Sequence, residues 1–268
     1  MVKKVLAKSY IYLILLLMYL PILVLIVFSF TNTQVIGDWN GFSFKLYQDL
    51  FKDKVVLTAV RNTILVAVVS SIFSTILGTL GAVGIYYSKK KMKRFMEGVG
   101  QISVANAEIV TAISLTILFV VIAKIFHINN IFGFVTLVIG HMVLSVPFVV
   151  LNVTPKLKQM DQNIYEAALD LGATPVQALW KVVVPEIIPG VLSGFLLCIT
   201  LSLDDYIITA FTRDNSFQTL STFVEGVTAK GSLPSDLRAL TTLIFIVMLG
   251  VLFIINWRTK DKREEKNK

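Results

Sequence analysis

The chain has one cysteine and two histidines in 268 residues. Cys198 has no partner for a disulfide within the chain. His127, His141 and Cys198 are too widely separated for a zinc site. Charge is also scarce: 16% of the residues are charged, against about a quarter in a soluble domain. No G-x-x-x-x-G-K phosphate loop is present, so the sequence offers no ATPase site of its own. No nucleophile-base pair or metal cluster points to a membrane enzyme. Aromatic and basic residues are not interleaved as a nucleic-acid groove requires. The net charge of +8 therefore reads as loop topology in a membrane rather than as nucleic-acid binding. Ten-residue alternation, the pattern of an outer-membrane barrel, is missing as well.

Long apolar runs are plentiful. Hydrophobic residues make up 55% of the chain, and several runs reach the roughly 20 residues that cross a bilayer core. The expected fold is all-α: a polytopic membrane protein with six transmembrane helices in one domain, residues 1–268. The runs are about Tyr10 to Phe30, Asn62 to Tyr87, Val99 to Phe126, Ile131 to Val153, Ile187 to Phe211 and Leu237 to Trp257. The first is too long for a signal peptide, and no small-residue cleavage site follows it. Pro21 is placed to kink it. Ser71, Ser74, Thr75, Gly78, Gly81 and Ala82 put small residues on one face of the second run, where another helix can pack closely. Ser235 or Asp236 is placed to cap the sixth, and the tail 258–268 is charged.

Six crossings put both termini on one side. That side collects the termini, the block Lys89-Lys90-Lys91 with Lys93 and Arg94, and the polar segment 155–186. It carries seventeen of the 25 Lys and Arg residues, and the opposite side carries eight. Both termini and the polar segment are therefore expected to face the cytoplasm.

The polar segment reads as helix, turn, helix. Asp161 can cap a helix from Gln162 to Leu171, and Gly172 suits the position after its end. Thr174-Pro175 is an N-cap followed by proline at the first helical position. Pro185 and Pro189 are expected to break the chain direction. Such a pair is a docking knob rather than an amphipathic connector on the lipid surface. The spacing Glu166-Ala167-Ala168, three residues, Gly172, nine residues, then Val182-Val183-Val184-Pro185 resembles the EAA loop of ABC importer permeases. Val182 and Val184 stand where the family usually has Ile and Leu. The resemblance implies the type I ABC importer permease fold in a bacterial plasma (inner) membrane. It also implies that Glu166, Ala167, Ala168, Asp170 and Gly172 couple this chain to two ATPase subunits. ATP and magnesium would be used by those partners, with no cofactor bound by this chain. A second homologous permease subunit would complete the pore. An extracytoplasmic substrate-binding protein would meet the face formed by residues 31–60 and 212–236.

The chain is further similar to the polyamine (spermidine/putrescine) branch of that family. This likeness rests on Trp39 with Gly41-Phe42 and Tyr47, Asn62-Thr63, Glu108-Ile109-Val110, His141 with Pro147-Phe148, and Leu201-Ser202-Leu203-Asp204-Asp205. The family often has proline before the acidic residue of the third helix, and that residue is more often Asp. Here Ala107 and Glu108 stand there, and the run is read as continuous.

A cationic substrate is argued independently by the acids. An acid near a helix centre costs roughly 2.5–3.5 kcal/mol on insertion scales. Glu108, Asp204 and Asp205 all lie within apolar runs, and no Lys or Arg lies in the core of a run to neutralise them. Cys198, Ser202, Asp205, Thr209 and Thr212 recur at steps of four and three, one polar stripe on a continuous helix. Asp204 is rotated off that stripe by about 100°. A water-lined path bearing Glu108 and Asp205, with Asp204 beside them, would hold ammonium groups by charge-assisted hydrogen bonds. The methylenes of a polyamine would lie on Tyr206, Phe211 or Trp39. The competing reading gives these acids to helix–helix hydrogen bonds, and assigns the same role to His141. Rival functions are a permease for another solute and an ion-coupled secondary transporter, for which membrane acids are also expected.

Overall fold

The computed structural model describes residues 2–33, 38–229, 235, 237–247 and 249–250. Among these residues the regular structure is helical, apart from one isolated bridge between Thr31 and Phe42. Among the described residues, five helices are long and apolar enough to cross a membrane. A shorter apolar helix covers Leu237–Val247. Residues 248 and 251–257 of the sixth run, with Asp236 and the tail 258–268, lie outside the described residues.

The chain divides into two compact units. The first comprises Met1–Leu57 and Val224–Lys268. It contains α1 (Val2–Ser29), α2 (Lys45–Leu50) and the helix Leu237–Val247, here α12. Pro21 is accommodated inside α1. At the end of α1, Ser29 Oγ donates to the Ile26 carbonyl at 2.7 Å and lies 2.8 Å from the Tyr47 hydroxyl. Phe30 stacks on Phe42 with ring centroids 5.3 Å apart. Arg238 is buried. Its guanidinium donates to the carbonyls of Thr33 at 2.8 Å and Phe28 at 3.4 Å. Carbonyls freed at a helix end are thus satisfied by a cation.

The second unit, Thr58–Phe223, takes most of α3 (Lys54–Tyr87) and α4 (Lys90–Ala105), α5 (Glu108–Phe126), α6 (Phe134–Gln159) and α7 (Gln162–Asp170). These are followed by α8 (Pro175–Ala178), α9 (Val184–Asp204), α10 (Ile207–Thr212) and the start of α11 (Leu220–Thr228). Its core is built where α3, α6 and α9 meet, from Ala82, Val149, Val153, Leu157, Ile187 and Cys198. Glycine permits that meeting. A Cβ on Gly78 would lie 2.5 Å from Val149 Cβ, and one on Gly190 would lie 2.8 Å from the Asn152 carbonyl.

Three expected elements differ. The basic block is not a loop: Lys90, Lys91, Lys93 and Arg94 open α4, whose Lys, Met and Arg residues are good helix formers. The third run is not one helix, because the extended backbone of Asn106 and Ala107 separates α4 from α5. Pro185 and Pro189 do not break the chain either; both lie within the helical column Pro175–Asp204. A π turn at Leu179–Val183 precedes Pro185, and Val184 N donates to the Leu179 carbonyl five residues back. Proline lacks an N–H and crowds the carbonyl four residues earlier. The wider π turn gives that carbonyl room, so the column continues.

Candidate functional site

The helix–turn–helix segment is built by three local devices. Asp161 Oδ1 accepts from Asn163 N at 3.0 Å and starts α7. At its other end Gly172 N donates to Leu169 O at 2.9 Å and Ala173 N to Ala168 O at 3.0 Å. This is the Schellman pattern, which needs a left-handed residue, and Gly172 has φ +88°. Thr174 and Gln177 then form a reciprocal capping box with Pro175 at the first helical position. Glu166, Ala167, Ala168 and Asp170 all lie on α7. The apolar side chain at the tip, Leu171, is 89% exposed, and Val176 and Trp180 are exposed beside it in sequence.

The acids part company. Glu108 is the first residue of α5, at the mouth of the break rather than inside a helix. It is exposed and lines a small cavity of about 80 Å³ with Ser103, Asn106, Thr111 and Phe148. Asn106 Nδ2 donates to Thr111 Oγ1 at 3.0 Å, bracing the break. The fifth run is also divided: α9 ends at Asp204, and Asp205 is extended. Asp204 is exposed. Asp205 is only 7% exposed, and its carboxylate caps α10. Its Oδ1 accepts from Ile208 N at 3.2 Å, and its Oδ2 from Thr209 N at 2.8 Å and Thr209 Oγ1 at 2.9 Å. Asp205 and Asp204 stand within electrostatic reach of Glu108. The packing of α10 against α5 contributes to this, with Thr116 Oγ1 donating to Phe211 O at 3.0 Å.

Behind Asp205 runs a polar chain that the stripe alone did not reveal. His141 is buried on α6. Its Nε2 lies 3.0 Å from Thr209 Oγ1 and its Nδ1 2.7 Å from Ser202 Oγ; Ser202 Oγ is 3.3 Å from Ser70 Oγ on α3. Thr209 has a single hydroxyl proton. When that proton goes to Asp205, Thr209 accepts from His141 Nε2–H, Nδ1 accepts from Ser202, and Ser202 accepts from Ser70. Each donor has a receiver, as a buried network requires. Of the remaining sequence candidates, Tyr206 links α9 to α10, while Trp39 belongs to the first unit and meets Phe28 edge-on at 6.3 Å.

The sequence matches the family described as "Binding-protein-dependent transport system inner membrane component" over residues 74–259. The chain belongs to this family. It is therefore a transport permease of the inner membrane and not an enzyme. Among curated permeases of this kind, the spermidine/putrescine transport system permease protein PotC of Escherichia coli K12 is 32% identical over 242 residues. That alignment covers 90% of this chain and 89% of PotC. The putrescine transport system permease protein PotI of the same strain is 30% identical, over 92% of this chain and 87% of PotI. The permease fold is matched by a bacterial ABC transporter structure for import of the acidic polysaccharide alginate. Its TM-score is 0.68 at 16% identity, and the match covers 97% of this chain and 96% of that one.

Proposed function

We propose that this permease is one membrane subunit of an ATP-driven importer for polyamines of the spermidine/putrescine type. The observation that carries the reading is the exposure of Glu108 and Asp204 beside Asp205. Both aspartates stand within electrostatic reach of Glu108, and neither Glu108 nor Asp204 forms a salt bridge among the described residues. Such a group suits ammonium groups and repels anions. The names of the relatives point the same way. Glu108 and Asp204 would meet the substrate, with Tyr206 offering ring surface. Asp205 would contribute its charge from behind while it anchors α10.

The chain would cross the membrane six times as a single permease domain with both termini in the cytoplasm. Its coupling segment, about residues 155–186, would seat in one of two ATPase subunits, which bind ATP and magnesium. Exposed Leu171, Val176 and Trp180 give that segment the apolar surface a protein partner covers. A second homologous permease would complete the path, and an extracytoplasmic binding protein would deliver the substrate.

The test is uptake of labelled spermidine and putrescine by the assembled transporter in vesicles, with and without ATP. ATP-dependent uptake is expected in the wild type. Glu108→Gln and Asp204→Asn should each lower it about tenfold, the worth of one charge-assisted hydrogen bond. Uptake driven by an ion gradient without ATP would favour a secondary transporter. Full uptake in both variants would remove the carboxylate path.

A further inference from the structure

A cavity of about 780 Å³ lies between α4 and α6. Its walls are largely apolar, with Phe95, Val146, Val150 and Leu151 among them, and Glu97 and Lys158 are the charged residues in its lining. Ser103 lines this cavity and also the small one that holds Glu108. Along α4, the six residues from Glu97 to Ser103 rise about 9 Å. Glu97 therefore stands below Glu108, toward the basic start of α4.

We infer that Glu97 is a release-side carboxylate that exchanges Lys158 for a substrate ammonium. This rests on the polyamine reading above. Lys158 Nζ lies 3.3 Å from Glu97 Oε1, and the two side chains are 55% and 32% exposed. That separation exceeds the 2.7–2.9 Å of a tight charge-assisted hydrogen bond, and so exposed a pair adds little stability. The pair is thus cheap to open. Lys158 is itself a primary ammonium on a methylene stem, the same chemistry as the end of a polyamine. Either group satisfies Glu97, so exchange trades one ion pair for another. The methylenes of the substrate lie against the apolar walls, and the return of Lys158 displaces the substrate.

The experiment measures uptake of labelled spermidine and putrescine by the complete reconstituted transporter, normalised to assembled complex. Glu97→Gln leaves Lys158 unpaired in the groove and should lower uptake about tenfold. Glu97→Asp should retain most of it. The double variant Glu97→Gln/Lys158→Gln should recover part of the loss, because the repelling cation is gone. Lys158→Gln alone should lower KM and kcat together, since the bound substrate has lost its competitor. Equal losses of uptake in Glu97→Gln and Lys158→Gln, with KM unchanged in Lys158→Gln, would mark a structural ion pair and overturn the inference. Unchanged uptake in Glu97→Gln would also overturn it. Both outcomes leave the polyamine reading standing. A wild-type complex that carries neither polyamine removes that reading, and the exchange with it.

Discussion

His141 Nε2 and Asp205 Oδ2 stand 3.6 Å apart, and Thr209 Oγ1 is within hydrogen-bond distance of both. A histidine on α6 thus fixes the cap of a helix that follows it by more than sixty residues. Replacing His141 with Ala strands the hydroxyl proton of Ser202 and removes the donor to Thr209 Oγ1, whose own proton stays on Asp205. Each stranded buried group costs about 1–3 kcal/mol. Thermal unfolding of the detergent-solubilised permease should show a clear loss for His141→Ala and a smaller one for His141→Gln, which keeps a donor and an acceptor. An unchanged melting temperature in His141→Ala would show that the chain of hydroxyls carries no stability.

Two glycines of α3 make a matched pair. A Cβ on Gly78 would collide with Val149, whereas one on Gly84 would meet nothing within 4 Å. Gly78→Ala should therefore destabilise the α3–α6 contact by about 1–3 kcal/mol, the usual cost of overpacking. Gly84→Ala should be neutral, or stabilising by up to about 1 kcal/mol, through helix propensity. The comparison is made by thermal or denaturant unfolding in detergent. Equal effects would remove the argument from close approach.

Gly172 is tested by its conformation rather than its space. No atom lies within 4 Å of its missing Cβ, yet its φ is +88°. A valine there pays backbone strain of about 1–3 kcal/mol. Gly172→Val should weaken copurification of the ATPase subunits and lower uptake while leaving membrane insertion intact. Gly172→Asn should do less, because asparagine tolerates the left-handed region. Retention of full coupling in Gly172→Val would detach this turn from docking.

Asp214 supplies a pH signature outside the membrane-spanning helices. The Ser216 hydroxyl, at 2.6 Å, and Asn215 N, at 2.7 Å, hold its carboxyl below the usual range. A lowered folded-state value contributes stability that is present above the unfolded-state value and lost as pH falls through the folded one. Any stability gap between wild type and Asp214→Ala should therefore be present at neutral pH and close below about pH 4. A gap that persists at lower pH would assign the effect to something other than this ionisation.

The elements legible in the sequence were those written by local chemistry. Asp161, Gly172 and Thr174-Pro175 cap their helices through neighbours two to five residues away, so spacing alone located them. The breaks at Asn106–Ala107 and Asp205 were not legible. Apolar content stays high through both, and the stripe from Cys198 to Thr212 has helical spacing although α9 and α10 are separate helices. What divides them is a carboxylate turned onto the backbone of α10, and what receives the other polar side chains is a histidine far away in sequence. Arg238 stands at the start of the sixth run; its burial depends on carbonyls of Phe28 and Thr33, which no local pattern announces. In the same way, the distinction between exposed Asp204 and buried Asp205 follows from the turn between helices rather than from position along a run.

The π turn at Leu179–Val183 sets a phase. A π turn accommodates one residue more than the α-helix around it. Tightening it to ordinary α-helix without removing that residue would rotate everything on its N-terminal side by about 100° relative to α9. Every side chain of the helix–turn–helix would survive, but α7 and Leu171 would point along a different bearing. The register of this one turn therefore acts as an angular setting between the surface proposed to meet the ATPase and the helix that ends at Asp204.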